Sequence, residues 1–208
     1  MTAPSTRPAT RPAPSDGCTP PTPGPATLRD FLAAVREDHR INSEGLWTPG
    51  FYAAATQRWG TWIRSDGFPA ALRPVMSAAQ GLAKILMRNV AGIEIPDTVQ
   101  LGRGVRIAHQ HGIVIHPGAQ IGDGTVIRQN VTLGAGSGDP ATFHAQAPRV
   151  GRDVSLGAGC VLVGRVIVGD GATIGPNAVV MTHVPAGATV LAPPPRVIPA
   201  RPRPEDAA

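Results

Sequence analysis

Aromatic residues are scarce in this chain of 208 residues: four Phe, three Trp and one Tyr. All but Phe143 fall between Phe31 and Phe68, so the second half must build its core from aliphatic side chains. Long apolar runs are missing too. The most apolar stretch, residues 70–91, is interrupted by Arg73, Lys84 and Arg88 and is not a membrane span. Lys84 is the only lysine, and the arginines are scattered rather than clustered among aromatics. Nucleic acid is therefore not an expected partner, despite a net charge of +5. The two cysteines, Cys18 and Cys160, form no Cys-x-x-Cys motif and indicate no structural disulfide, which fits a reduced, cytoplasmic compartment. Residues 1–26 lack the apolar core of a secretory signal.

Glycine and proline, in contrast, are abundant, at 25 and 23 residues. That level borders on low complexity, yet a hydrophobic fraction of 42% leaves material for a core. Their placement divides the chain. Eight prolines lie in 1–26 and six in 193–208, whereas sixteen glycines lie in 95–185. The expected organisation is a flexible Pro-rich arm over 1–26, a helical region over 27–91, a Gly-rich aliphatic domain over 92–192 and a Pro-rich tail over 193–208.

In the helical region, Thr27 and Asp30 make a capping-box-like start, followed by Leu28, Phe31, Leu32 and Val35 as one apolar stripe. Pro49-Gly50 opens a second helix, with Phe51, Ala55, Trp59 and Trp62 expected on one face. A third is expected over 69–90, kinked near Pro74.

From Ile95 the period changes to six. Ile95, Leu101, Ile107 and Ile113 recur at that spacing, then Ile115, Ile121, Ile127 and Leu133, then Val150, Leu156, Leu162, Val168, Ile174 and Val180. Glycine often follows, and a small residue or Val fills the fifth place of each six. This period suits neither an α-helix nor an alternating strand, but it matches a hexapeptide parallel β-helix. Three hexapeptides close one triangular coil, and the first-place aliphatics fill a prism too narrow for rings. The glycines are expected to relieve tight corners. Residues 134–149 break the period and are expected to leave the prism as a functional loop.

Histidine is the informative reactive type. Of six, four lie between His109 and His144. His109 and His111 take the third and fifth places of the hexapeptide that begins at Ile107, and His116 precedes Pro117 at a corner.

Residues 93–198 resemble the catalytic domain of the serine acetyltransferases and their relatives among hexapeptide acyltransferases. The likeness runs through Ile-Glu-Ile-Pro (93–96), Ile-Ala-His-Gln-His-Gly-Ile-Val-Ile (107–115), Gln-Asn-Val-Thr-Leu-Gly (129–134), Pro-Arg-Val-Gly (148–151) and Pro-Arg-Val-Ile (195–198). It implies a left-handed parallel β-helix behind a small N-terminal helical region. It also implies acetyl transfer from acetyl-coenzyme A to a hydroxyl-bearing small molecule, with no metal, in a homotrimer whose trimers can pair further. By position, His109 matches the catalytic base and Glu94 its orienting acid, in place of the family's usual Asp. Gly134, Ala135, Ala158, Pro176 and Arg196 match the coenzyme A groove. Asp38, His111, His144 and Arg149 are the substrate-side candidates.

The chain departs from the serine-specific pattern where acceptor contacts are expected. Ala108 replaces an Asp, and Gln146 and Ala147 replace an Arg-His pair. The acceptor is then expected to be serine, another amino alcohol, a sugar or polysaccharide hydroxyl, or a secondary-metabolite intermediate. Two rival readings remain at this point. One is a zinc enzyme of the trimeric β-helix carbonic anhydrase type, using His111, His116 and His144. The other is a non-catalytic scaffold.

Overall fold

The computed structural model describes residues 17–42, 48–136 and 145–198. Among the described residues, fourteen short parallel strands wind around a triangular prism whose faces are three sheets. The first sheet stacks β1 (Ile93–Glu94), β4 (Ile113–Ile115), β7 (Thr132–Gly134), β10 (Val161–Val163) and β13 (Val179–Val180). The second stacks β2 (Gln100–Leu101), β5 (Gln120–Ile121), β8 (Arg149–Val150) and β11 (Ile167–Val168). The third stacks β3 (Arg106–Ala108), β6 (Val126–Arg128), β9 (Ser155–Leu156), β12 (Thr173–Ile174) and β14 (Thr189–Val190). All fourteen first-place aliphatics are buried, with Val105, Ala119, Val131, Cys160 and Ala172 among the fifth-place residues packed between them. Residues of period six therefore alternate in and out along each strand, and two per hexapeptide reach the core.

The structure gives the glycines a different reason from the one expected. Those that directly follow a first-place aliphatic, such as Gly122, do not have left-handed backbones. They are small because coils stack closely: a Cβ on Gly122 would meet the Gly151 carbonyl carbon at 2.3 Å. The left-handed corner residue comes two places later and can be Gly, as at Gly124, or Asp, as at Asp153.

Helices α1 (Leu28–Asn42), α2 (Pro49–Arg64) and α3 (Arg73–Asn89) sit over the first coil. The start of α1 is as expected: the Thr27 amide and hydroxyl donate to Asp30, and the Asp30 amide donates back to Thr27 Oγ1. The inward faces are not as expected. Leu28 and Leu32 are exposed, whereas Ala34, Asp38 and Asn42 are buried. On α2 the buried residues include Ala53, Ala54, Gln57, Arg58 and Gly60, while Trp62 turns sideways to stack on Phe31 at 4.9 Å. Nor is the third helix kinked at Pro74. A 3-10 turn over Ala70–Leu72 precedes it and Pro74 lies in its first turn, where a missing N–H costs nothing.

The polar inward faces follow from what they cover. The first coil has no coil above it, so its backbone groups need other partners. Asn42 Nδ2 donates to Val105 O at 3.1 Å, and Asn42 Oδ1 accepts the Ile107 amide at 2.7 Å. Gln57 Nε2 donates to Val99 O at 2.8 Å, Thr61 Oγ1 to Asp97 O at 3.1 Å, and Arg58 to Leu101 O and Gly102 O. Asp38 pairs with Arg58 Nε at 3.0 Å, both side chains being 1% exposed.

Residues 17–26, expected within a flexible arm, instead lie along the corner between the second and third sheets. Thr19 donates its amide and hydroxyl to Asp170, and Thr22 donates both to Asp123. The Asp170 amide donates to Gly17 O at 2.8 Å. The spacing explains the fit. Asp123 and Asp170 stand two coils apart, about 9.6 Å at the usual strand separation. The Pro20-Pro21 pair between the threonines favours polyproline II, in which three residues advance about 9.3 Å. Burial raises both carboxyls, but the threonine donors outweigh it and hold them below the ordinary aspartate value. Residues 1–16 of the expected arm and 199–208 of the expected tail lie outside the described residues.

Candidate active site

The corner between the third and first sheets carries the two informative histidines. His109 follows β3 directly, and the backbone is left-handed at both His109 (φ 67°) and His111 (φ 74°). Non-glycine residues adopt this region at a cost, so two in three positions mark a constrained turn. Both side chains are exposed. The turn is held by ladder hydrogen bonds: the His111 amide donates to Ala91 O at 3.2 Å and the Asn130 amide to His111 O at 2.9 Å. Further along the same edge, Gly159 N donates to Gln129 O and Asn177 N to Ala158 O. Ala158 and Pro176 therefore share the edge of His109, two and three coils away.

The other expected residues lie elsewhere on the prism. Glu94 is exposed on the first sheet, beside Val114, on the coil whose Gly92 packs against His111. It also lines a cavity of about 220 Å³ with Lys84 and Arg88 of α3. Gly134 ends β7 at the next corner, where its carbonyl accepts the Gly164 amide at 3.0 Å, and Ala135 follows it half-buried. Arg149 opens β8 on the second sheet and donates to Gln120 Oε1 at 3.1 Å. Arg196 is exposed in a segment without regular structure. His144 lies outside the described residues.

Asp38 is not at this edge. Its carboxylate is sealed against Arg58 between the helices and the first coil, where it serves docking rather than an acceptor. His111 and His116 stand beyond opposite ends of β4, at different corners of the prism. His116 is buried, and its Nδ1 accepts the Gly118 amide at 3.1 Å. Ala147, at the end of the inserted loop, is 4% exposed and belongs to the core.

Residues 147–181 match the family described as bacterial transferase hexapeptide (six repeats). The chain is 34% identical to the serine acetyltransferase of Synechococcus elongatus over 74% of its length and 58% of the relative's. It is 40% identical to the serine acetyltransferase of Helicobacter pylori over 51% of its length and 60% of the relative's. The chain is thus similar to the serine acetyltransferases and carries the hexapeptide repeat of bacterial transferases. A crystal structure of the serine acetyltransferase from Vibrio cholerae superposes with a TM-score of 0.64 at 26% identity, covering 79% of this chain and 64% of that one. The chain spans under two thirds of the length of these curated serine acetyltransferases.

Two further residues belong to the His109 edge and escaped the sequence reading. Arg128 pairs in register with Ala108, and Gln129 lies at the next coil's corner. The signal was available: three hexapeptides plus the two-residue offset at Ile113 and Ile115 place position 128 under position 108.

Proposed function

We propose that this chain is an acetyl-coenzyme A-dependent O-acetyltransferase in which His109 is the general base. The observation that carries this reading is His109 itself, held outward by a left-handed turn on the edge it shares with Ala158 and Pro176. Similarity to the serine acetyltransferases supports the reaction class.

A neutral imidazole accepts the acceptor's hydroxyl proton as the oxygen attacks the thioester carbonyl carbon. The C–O bond forms, the tetrahedral intermediate collapses, and the C–S bond breaks. The proton then passes from the imidazolium to the departing thiolate sulfur. Glu94 orients the imidazole and stabilises its charged form. Gly134, Ala135, Ala158 and Pro176 give the pantetheine arm a smooth groove, and Arg196 meets the phosphates. Arg149 and His111 contact the acceptor, as does His144 from the inserted loop.

Glu94, Gly134 and Arg149 stand on faces other than the His109 edge, so the complete site is assembled from neighbouring copies in a cytoplasmic homotrimer, which can pair further. The acceptor is not serine: Ala108, Gln146 and Ala147 lack the charges that grip an amino acid. The test is coenzyme A release across serine, homoserine and sugar acceptors, with His109→Ala as the control. Serine turnover at a rate ordinary for enzymes refutes the acceptor assignment. Full activity of His109→Ala refutes the mechanism.

A further inference from the structure

We propose that Arg128 selects the acceptor, and that the acceptor is a hydroxyl compound bearing a carboxylate or phosphate and no ammonium group. The proposal rests on the reading of His109 as the base that activates that hydroxyl.

The placement comes from register. β3 pairs with β6 so that Ile107 stands over Ile127 and Ala108 over Arg128. Both isoleucines are buried, so alternation turns Ala108 and Arg128 outward together. Adjacent strands are about 4.8 Å apart, and His109 is the next residue after Ala108. The Arg128 backbone is thus one strand spacing from the residue beside the base, and Ala108 places only a methyl between them.

Along the strands of this sheet the outward charge has one sign. The outward residues of the third sheet are Arg106, Ala108, Val126, Arg128, Ser155, Thr173 and Thr189, with no carboxylate among them. Arg128 is exposed, and no described residue holds it in an ion pair. Most such arginines are simply solvated. This one stands beside a constrained turn that presents a histidine, and its planar fork suits the paired oxygens of a carboxylate or phosphate. An ammonium group at the same place meets like charge with no acid on that sheet to offset it.

A second polar group sits one residue on. Gln129 Oε1 is buried and has no hydrogen-bond partner among the described residues, whereas buried acceptors are ordinarily satisfied. The anionic probes are therefore chosen to carry a second hydroxyl.

The test uses the full chain, acetyl-coenzyme A and five three-carbon probes: glycerate, glycerol 3-phosphate, glycerol, L-serine and serinol. Glycerate and L-serine differ only by hydroxyl for ammonium, so their comparison isolates the cation. The two anions distinguish carboxylate from phosphate. Wild type is expected to turn over an anion faster than glycerol, and serinol slowest. Arg128→Gln is expected to lower the anion-to-glycerol ratio of kcat/KM by roughly ten- to a hundredfold, the range for a charged hydrogen bond, with Arg128→Lys intermediate. Unchanged thermal unfolding shows that the variants remain folded. A parallel readout needs no turnover: carbethoxylation of His109 is slowed by the anions and not by serinol, and Arg128→Gln abolishes the difference. A preference for L-serine or serinol, or an anion preference that Arg128→Gln leaves unmoved, overturns the assignment of Arg128. Anion-selective protection without acetylation of any hydroxyl compound upholds Arg128 and overturns the acyl-transfer reading instead.

Discussion

Arg58→Met removes the residue on which the helical cap turns. Arg58 is 1% exposed, pairs with Asp38 at 3.0 Å and donates to the carbonyls of Leu101 and Gly102. Methionine keeps much of the volume but leaves a buried carboxylate without its counter-ion and two carbonyls without donors. Breaking one side of a buried pair costs about 3–5 kcal/mol. For a domain of this size that corresponds to a fall in melting temperature of about 6–20 °C. Because the uncompensated charge supplies most of the loss, adding Asp38→Asn should recover part of it, with a coupling energy of about 1–3 kcal/mol in the double-mutant cycle. Urea unfolding of all four proteins gives the cycle. Hydrogen exchange at Arg103–Ala108 reports whether the first coil frays when its cap loosens. A loss below about 1 kcal/mol for Arg58→Met, or strict additivity with Asp38→Asn, refutes the view that this pair joins helices to solenoid.

Other consequences are simpler to check. His109→Ala should lower acetyl transfer by about 10²–10⁴-fold without moving the unfolding midpoint, and Glu94→Gln should lower it less; a progress curve of coenzyme A release compares them. Asp123 and Asp170 have folded values below 3.8. Their contribution to stability is therefore full above that pH and is lost as pH falls through the folded values. An acid-unfolding profile should flatten in Asp123→Asn/Asp170→Asn, and one that is unchanged removes the arm from the stability account. Gly122→Ala should destabilise by about 1–3 kcal/mol through overpacking between coils, measured by calorimetry.

The prism was legible before any coordinates because its requirement is local and repeated. Ile107, Ile127 and Leu156 each fill the same slot, so one period predicts all three. The helices were legible as elements but not in their faces. Leu28 and Leu32 read as inward because apolar residues are assumed to seek a core, whereas the surface beneath α1 and α2 is a row of bare backbone groups, and Asn42, Gln57 and Arg58 satisfy it. No helical period announces that need. Asp38 was matched to an acceptor contact through the family resemblance, and a sequence does not reveal that Arg58 lies opposite. The arm misled through composition, since Pro-rich segments are commonly solvated and only Asp123 and Asp170, far along the chain, make this one adhere. Arg128 was hidden differently, its significance lying in a neighbour twenty positions away.

Thr19 and Asp170 are separated by 151 positions. On a ribosome adding about 5–20 residues per second, Thr19 waits roughly 8–30 s for its partner to be made. The helices and first coils can assemble during that interval, and Thr22 can meet Asp123, but the Thr19 end of the arm cannot dock. Completing that docking is a late act of folding, and one that requires the fourth coil to be in place. Protection of residues 17–19 from protease thus reports a solenoid wound at least that far, and a chain stalled earlier leaves that end of the arm loose.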